Sequence, residues 1–362
     1  MLYILYIDLY SMGFIGVRKK VSAQIRAFQK KLEKVYYTVY SGQMIHLLSF
    51  DGTVLEKELA LTWKECHKVI LGWIAEYEIS KTYIRYAFAD KWLIQFLQVQ
   101  KENNICSVME FPTIPYEGEL SNKRVLLEDQ YYRGKMADCL ELCTTYSDFD
   151  DVFGIPCIPL QNGVDIEEHP LRKCRKRSGK IVLLAVAYMA GWHGYERVIE
   201  GMAHYYRMGG KKDILFKLVG AGSEIGRYKG LAEQYSLEQR IEFCGELVGR
   251  ELDKQYDESD IAVGSLGLYK KGIGQGAPIK LREYCSRGIP FIYGYRDTGF
   301  RGDEEYLLNL PNKDEEIDMQ SVIAFYERTV ENPEIVSKMR ETARKHFTWD
   351  SILEPVISFY NT

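Results

Sequence analysis

The chain has 362 residues, 46% of them hydrophobic and 27% charged, and a formal net charge of −4. That length suits about two domains of roughly 100–200 residues each, and a near-neutral balance gives no general attraction to nucleic acid. Eight cysteines without a Cys-x-x-Cys pair argue against a disulfide framework or zinc site and fit reduced thiols in a cytoplasmic protein.

The opening MLYILYIDLYSMG has no basic n-region and reaches Asp8 early, so it reads as a strand and not as a signal peptide. No apolar run approaches the ~18 residues of a transmembrane helix. Further strands are predicted at 35–41, 82–88, 105–111 and 139–147, rich in β-branched and aromatic residues, with helices at 18–34, 62–78, 90–103 and 121–137 between them. Asp51-Gly52 between apolar runs predicts a hairpin over 45–61. In helix 18–34, Val21, Ile25, Phe28, Leu32 and Val35 form one apolar stripe flanked by Arg18, Lys19, Lys20, Arg26, Lys30, Lys31 and Lys34. Such a helix either docks on anionic lipid or packs in a domain with a solvated basic face. Asp148, Asp150 and Asp151 read as the N-cap region of a helix, and the Pro- and Lys/Arg-rich stretch 155–180 as a linker.

Beyond it the strand–helix alternation resumes, with strands at 181–188, 214–220, 240–245, 260–266 and 289–294. Helices are predicted at 194–207, 224–236, 249–257, 278–287 and 315–330. Two such halves predict an α/β protein built on parallel sheets covered by helices. Ligands of open parallel sheets bind where strand ends lead into helix N-termini. Here those loops are 189–194, 220–224, 245–249 and 267–280, most of them Gly-rich. Lys280 falls in the first turn of a helix behind Pro278, so a phosphate there meets backbone amides and an ammonium together. Glu283 shares a face with Lys280, and its carboxylate is suited to accept hydrogen bonds from ribose hydroxyls.

Four elements in order, GWHGYERVIEG (191–201), LVGAGSE (218–224), RIEFCGEL (240–247) and QGAPIKLREYCSRGIP (275–290), resemble the donor-binding domain of GT-B glycosyltransferases of the retaining family-4 type. The hinge-like run Asn162-Gly163-Val164-Asp165 and the terminal FTWDSILEPVISFY are similar to further parts of that fold. The resemblance implies two Rossmann-like parallel-sheet domains facing a central cleft, residues 1–165 for the acceptor and 166–345 for the nucleotide-sugar, with 346–362 a helix returning to the first domain. It implies sugar transfer from a UDP- or GDP-type donor to a glycan or polyprenyl-linked acceptor with retention of configuration, in bacterial surface polysaccharide (capsule or exopolysaccharide) synthesis. The protein would be cytoplasmic, peripheral at the inner face of the plasma membrane through helix 18–34, with no metal, no separate cofactor and no nucleic acid partner.

By the same resemblance Lys280, Arg197, His193 and Glu110 are the catalytic candidates, the first three stabilising the departing diphosphate. Gly191, Gly220, Leu247, Gln275, Gly276, Ala277, Pro278, Ile279 and Glu283 are donor contacts. Gly13, Gly16 and Arg18, with Thr113 and Tyr116 of the stretch MEFPTIPYEGE (109–119), lie on the acceptor side. Two departures stand out: Gln275 replaces the first Glu of the family's Glu-x7-Glu pair, and the loop at 189–194 lacks the family's Arg/Lys pair. A sugar-nucleotide epimerase and a non-catalytic subunit on the same fold remain alternative readings.

Overall fold

The computed structural model describes residues 3–8, 15–117, 122–173, 179–330 and 332–361. The chain divides into two compact units, one formed by residues 1–163 with 349–362 and the other by 164–348.

In the first unit the strands are β1 (Tyr3–Ile7), β2 (Lys34–Ser41), β3 (Met44–Ser49), β4 (Val54–Leu59), β5 (Lys81–Arg85), β6 (Cys106–Phe111), β7 (Leu142–Thr145), β8 (Asp151–Val152) and β9 (Ile155–Pro159). They form one sheet in the order β4-β3-β2-β1-β5-β6-β7-β9-β8. The pairs from β2 through β9 are parallel. The predicted hairpin is present as antiparallel β3 and β4 on one edge, so it interrupts the strand–helix rhythm without breaking the sheet. Helices α1 (Ile15–Lys31), α2 (Trp63–Glu76), α3 (Lys91–Glu102) and α4 (Lys123–Tyr132) connect the strands. Thr62 and Glu65 start α2 with a reciprocal capping box, and the Asp90 carboxylate caps α3, which satisfies amide donors that a helix end otherwise leaves free.

Two expectations fail here. The stretch 155–180 is not linker throughout, because β9 pairs in parallel with β7. Asp151 opens β8 and not a helix: its Oδ1 accepts from the Gly154 amide at 3.2 Å, and positive φ at Phe153 and Gly154 turns the chain back into β9.

The second unit contains β10 (Lys180–Val186), β11 (Asp213–Val219), β12 (Ile241–Gly245), β13 (Ile261–Val263), β14 (Gln275–Gly276), β15 (Phe291–Tyr293), β16 (Arg296–Asp297) and β17 (Leu307–Asn309). Six of them form a parallel sheet in the order β12-β11-β10-β13-β15-β17, the doubly wound arrangement whose order reverses beside the first strand. β14 and β16 make a separate two-stranded ribbon. Its helices are α5 (Glu196–Arg207), α6 (Ile225–Gln234), α7 (Gly249–Asp257), α8 (Ile279–Arg287), α9 (Met319–Val330) and α10 (Ile335–His346). The central strand KIVLLAV is buried over most of its length, as expected of a strand covered on both faces. Helix α10 was not anticipated from the sequence; its core-facing set is only Ile335, Met339 and Ala343, too sparse a stripe to stand out.

The chain then returns to the first unit as α11 (Trp349–Ile352) and α12 (Glu354–Tyr360). Trp349, Ile352, Leu353, Val356, Ile357 and Tyr360 are all buried beside Val21, Ile25, Phe28 and Leu32 of α1. The apolar stripe of α1 is therefore spent inside the unit and cannot embed in a bilayer. Two of its charges are also paired: Lys30 with Asp350 at 2.6 Å and Lys31 with Glu354 at 3.3 Å. Lys34 belongs to β2 and lies over the Tyr3 ring. Among the described residues no helix is long and apolar enough to cross a membrane.

Candidate active site

In the second unit the order reversal lies between β10 and β13, so the loops that leave those two strands bound the crevice that doubly wound sheets use for ligands. Both loops contain a short 3₁₀ turn, Gly191–His193 after β10 and Leu268–Lys271 after β13. They pack backbone to backbone: the Leu266 amide donates to the His193 carbonyl at 2.8 Å. Gly194 sits at φ +65, and a Cβ there would lie 2.6 Å from the Gly267 nitrogen. Only glycine permits that approach. Gly220, at φ +130 after β11, is equally constrained, since a Cβ would meet the Ala187 carbonyl at 1.9 Å.

Helix α8 closes this end of the sheet. Pro278 precedes it and no side chain caps its first turn, which leaves amides directed outward. Lys280 lies in that turn. Its Nζ is sealed from solvent and, among the described residues, has no hydrogen-bond partner. Burial pulls its pKa down to about 7, with Glu283 pulling the other way. A buried ammonium without a partner is costly unless an anion meets it. Glu283 lies one turn on, partly exposed and 4.0 Å from Nε2 of His169, a neighbour more than a hundred positions earlier that no local motif marks. Gln275 is exposed, Gly276 half-buried and Ala277 buried, while Leu247 packs partly buried against the core beneath.

Two of the predicted diphosphate ligands have other roles. Arg197 is 2% exposed, and its guanidinium donates to the carbonyls of Glu315 at 2.5 Å, Leu266 at 2.5 Å and Pro311 at 3.0 Å. All three of its nitrogens are engaged in tying loops together. His193 is buried, and its Nδ1 accepts from the Ala190 amide at 3.2 Å. Burial, then Lys280 and Lys271, push its pKa down to about 3. At neutral pH it is an uncharged imidazole with Nε2–H as its donor, so it cannot replace a lysine. The cations the sequence reading passed over are Lys271, whose Nζ lies 3.6 Å above the Trp192 ring, and Lys270, paired with buried Glu196. The only signal for them was the Lys-Lys pair within a Gly-rich loop.

In the first unit Glu110 is fully buried under α1. It pairs with Arg85 and accepts from Gln24 at 2.9 Å and Tyr83 at 2.9 Å, with Lys20 at 4.0 Å. Burial raises its pKa, Arg85 and then Lys20 lower it by more, and the carboxylate ends below the usual range. Glu110 is thus the centre of an internal network and not an exposed base. Lys20, expected on a solvated face, turns inward to Asn162 Oδ1 at 3.2 Å and the Tyr146 ring at 3.2 Å. Tyr116 is likewise buried, donating to Asp129 at 2.7 Å. Arg18 and Thr113 are exposed. Gly16 lies in the first turn of α1, and Gly13 falls outside the described residues. A small cavity at the carboxyl ends of β1, β5 and β6 is lined by Trp63, His67, Arg85, Phe88 and Phe96 among others.

Two parallel-sheet Rossmann-like units in one chain, the second with a glycine-lined switch point and a cationic helix N-terminus, define the GT-B fold. Residues 168–302 match the family model described as "Glycosyl transferases group 1", a stretch that holds every donor-side candidate named above. Among solved structures, a glycosyltransferase from Rickettsia africae is similar at 14% identity and a TM-score of 0.67, covering 99% of this chain and 98% of that one. Alr3699/HepE of Anabaena, solved in complex with UDP, matches at 13% identity and a TM-score of 0.64, covering 99% of this chain and 100% of its own. A sucrose-phosphate synthase from Thermosynechococcus elongatus matches at 13% identity and a TM-score of 0.59, covering 100% and 98%. At such identities the likeness is one of fold. No curated protein matches the chain.

Proposed function

We propose that the protein is a glycosyltransferase that moves a sugar from a nucleotide-sugar donor, of UDP or GDP type, to a glycan or lipid-linked acceptor with retention of configuration, in surface polysaccharide synthesis. One observation carries the reading: the sealed ammonium of Lys280 in the first turn of α8, which has no hydrogen-bond partner among the described residues, inside the stretch that matches the family model. The UDP complex of the Anabaena protein supports a nucleotide donor.

On this reading the donor diphosphate pairs with that ammonium. Lys280 and the α8 amides stabilise the charge that grows as the nucleotide departs. His193 supplies a neutral Nε2–H, Glu283 receives the ribose hydroxyls, and Gln275 hydrogen-bonds a sugar hydroxyl without adding charge. Lys280 and the α8 amides meet the diphosphate, so no metal is required. The acceptor is held by the first unit, where Arg18 and Thr113 are exposed. Adhesion to an anionic bilayer would rest on Arg18 and Lys19, both exposed in α1, and would be electrostatic and salt-sensitive.

The test is a thermal-shift and calorimetric screen of the purified chain against UDP, GDP and their common sugars, followed by transfer assays with and without EDTA. Binding of a nucleoside diphosphate and EDTA-resistant transfer are expected. Absence of any nucleotide binding overturns the reading; an epimer released from donor alone reassigns the reaction; Mn²⁺-restored activity overturns metal independence.

A further inference from the structure

Arg282 sits in α8 between the two proposed donor ligands Lys280 and Glu283, yet it is fully buried. Its guanidinium grips Asp297 with two nitrogens, Nη1 on Oδ2 and Nη2 on Oδ1, the latter at 2.6 Å. Nη1 also reaches the Pro278 carbonyl at 3.3 Å. Phe300 and Phe347 wall the pair, their ring centroids 5.4 and 5.2 Å from the guanidinium carbon. Both side chains are fully shielded from water.

Asp297 is also a residue of β16, which pairs with β14, the Gln275–Gly276 segment of the proposed donor loop. The Arg296 amide donates to the Gly274 carbonyl at 3.0 Å, and the Thr298 amide to that of Gly276 at 3.2 Å. The Gly299 amide also donates to Asp297 Oδ1, at 2.9 Å. One covalent path through Pro278 therefore joins loop to helix, and a second path runs from loop to β16, through the carboxylate and guanidinium, back to the helix. A buried ion pair is a poor source of net stability, because apolar residues of similar volume often serve as well or better. What an apolar pair cannot supply is a fixed offset between two backbones, which two parallel N–H···O bonds impose.

We propose that Arg282 and Asp297 are positioning residues for the donor site: they set the register between the loop Gln275–Ala277 and the helix turn that carries Lys280 and Glu283, and so determine nucleotide affinity without touching the nucleotide. The proposal rests on the donor-binding reading above. It is tested on the full chain with Arg282→Met/Asp297→Leu and, as a charge-retaining variant, Asp297→Glu, which lengthens the link by one methylene. UDP and GDP affinities are measured by calorimetry, and amide hydrogen exchange is read over 275–283. The double variant is expected to melt within a few degrees of the parent and to bind its nucleotide at least tenfold more weakly. Its exchange should be faster over 275–280 and unchanged in β10 and β11. Asp297→Glu should fold and show the same loss in smaller degree. A parent that binds neither nucleotide defeats the donor reading, whereas a binding parent with unaltered affinity in the folded variants defeats the positioning role alone. Unaltered exchange over 275–280 defeats it whether or not nucleotide binds. If the double variant fails to fold, Asp297→Glu decides by the same two measurements.

Discussion

Lys280 and Arg197 were both expected to face a diphosphate, and their surroundings separate them. Lys280 has an ammonium with no partner among the described residues, and Arg197 has a guanidinium with three carbonyl partners. Arg197→Met is therefore expected to lower stability by about 1–3 kcal/mol for each buried carbonyl left without its donor, and the melting temperature would show it. A stable Arg197→Met protein that loses only turnover would restore the catalytic assignment. Lys280 makes a prediction in pH. Its pKa falls from the ordinary 10.5 to about 7 in the fold, so between those values the unfolded chain binds the extra proton and stability rises with pH. Nucleotide binding runs the other way, since the diphosphate favours the charged lysine. UDP affinity should fall as pH climbs from 6.5 to 8.5, with proton uptake on binding, and Lys280→Met should flatten both slopes. Identical pH dependence in parent and variant would remove Lys280 from the site. Glu283→Ala should weaken UDP binding at least tenfold, the value of hydrogen bonds to a charged acceptor at about 1.5–3 kcal/mol; calorimetry on the folded variant checks it.

At the scale of elements, α1 shows how one helix pattern supports two readings. The stripe Val21-Ile25-Phe28-Leu32 and the surrounding lysines suit a bilayer surface as well as a domain core, because both offer an apolar face beside an anionic one. The contacts with α11 and α12 select the core. Leu353→Ala is accordingly expected to cost about 2–5 kcal/mol through the cavity it leaves, whereas Lys30→Gln should cost under about 1 kcal/mol because its pair with Asp350 is exposed. Chemical denaturation of each variant would test the contrast, and a Leu353→Ala loss no larger than that of Lys30→Gln would contradict the packing. Donor-loop residues were legible in the sequence because the requirements are local: glycines for a tight path, proline to start a helix, lysine in its first turn. Glu110 was legible as a polar residue at a strand end and illegible as a buried one. Its partner Gln24 lies 86 residues away, and no window of sequence displays that distance.

For the whole molecule, the division into units predicts that the donor site needs only one of them. Val164 and Thr348 pair as a β-bridge that joins the two ends of the second unit, and every proposed donor residue lies between them. A fragment of residues 164–348 should fold and bind UDP within about threefold of the full chain, 0.65 kcal/mol on the affinity scale, while transferring no sugar. Loss of binding in a folded fragment would show that the first unit contributes to the donor. What the sequence by itself determined was the two α/β halves, the hairpin, and the Gly-rich loop and helix of 275–290, since hydrophobic period and turn chemistry act over a few residues. The tertiary structure alone decided which charges stay free. Arg197, Glu110, Lys20 and Arg282 look as available in sequence as Lys280 does. Four of these five side chains are occupied because their partners lie far along the chain or across a ribbon, and the cost of burying a charge unpaired leaves a folded protein no other arrangement for them.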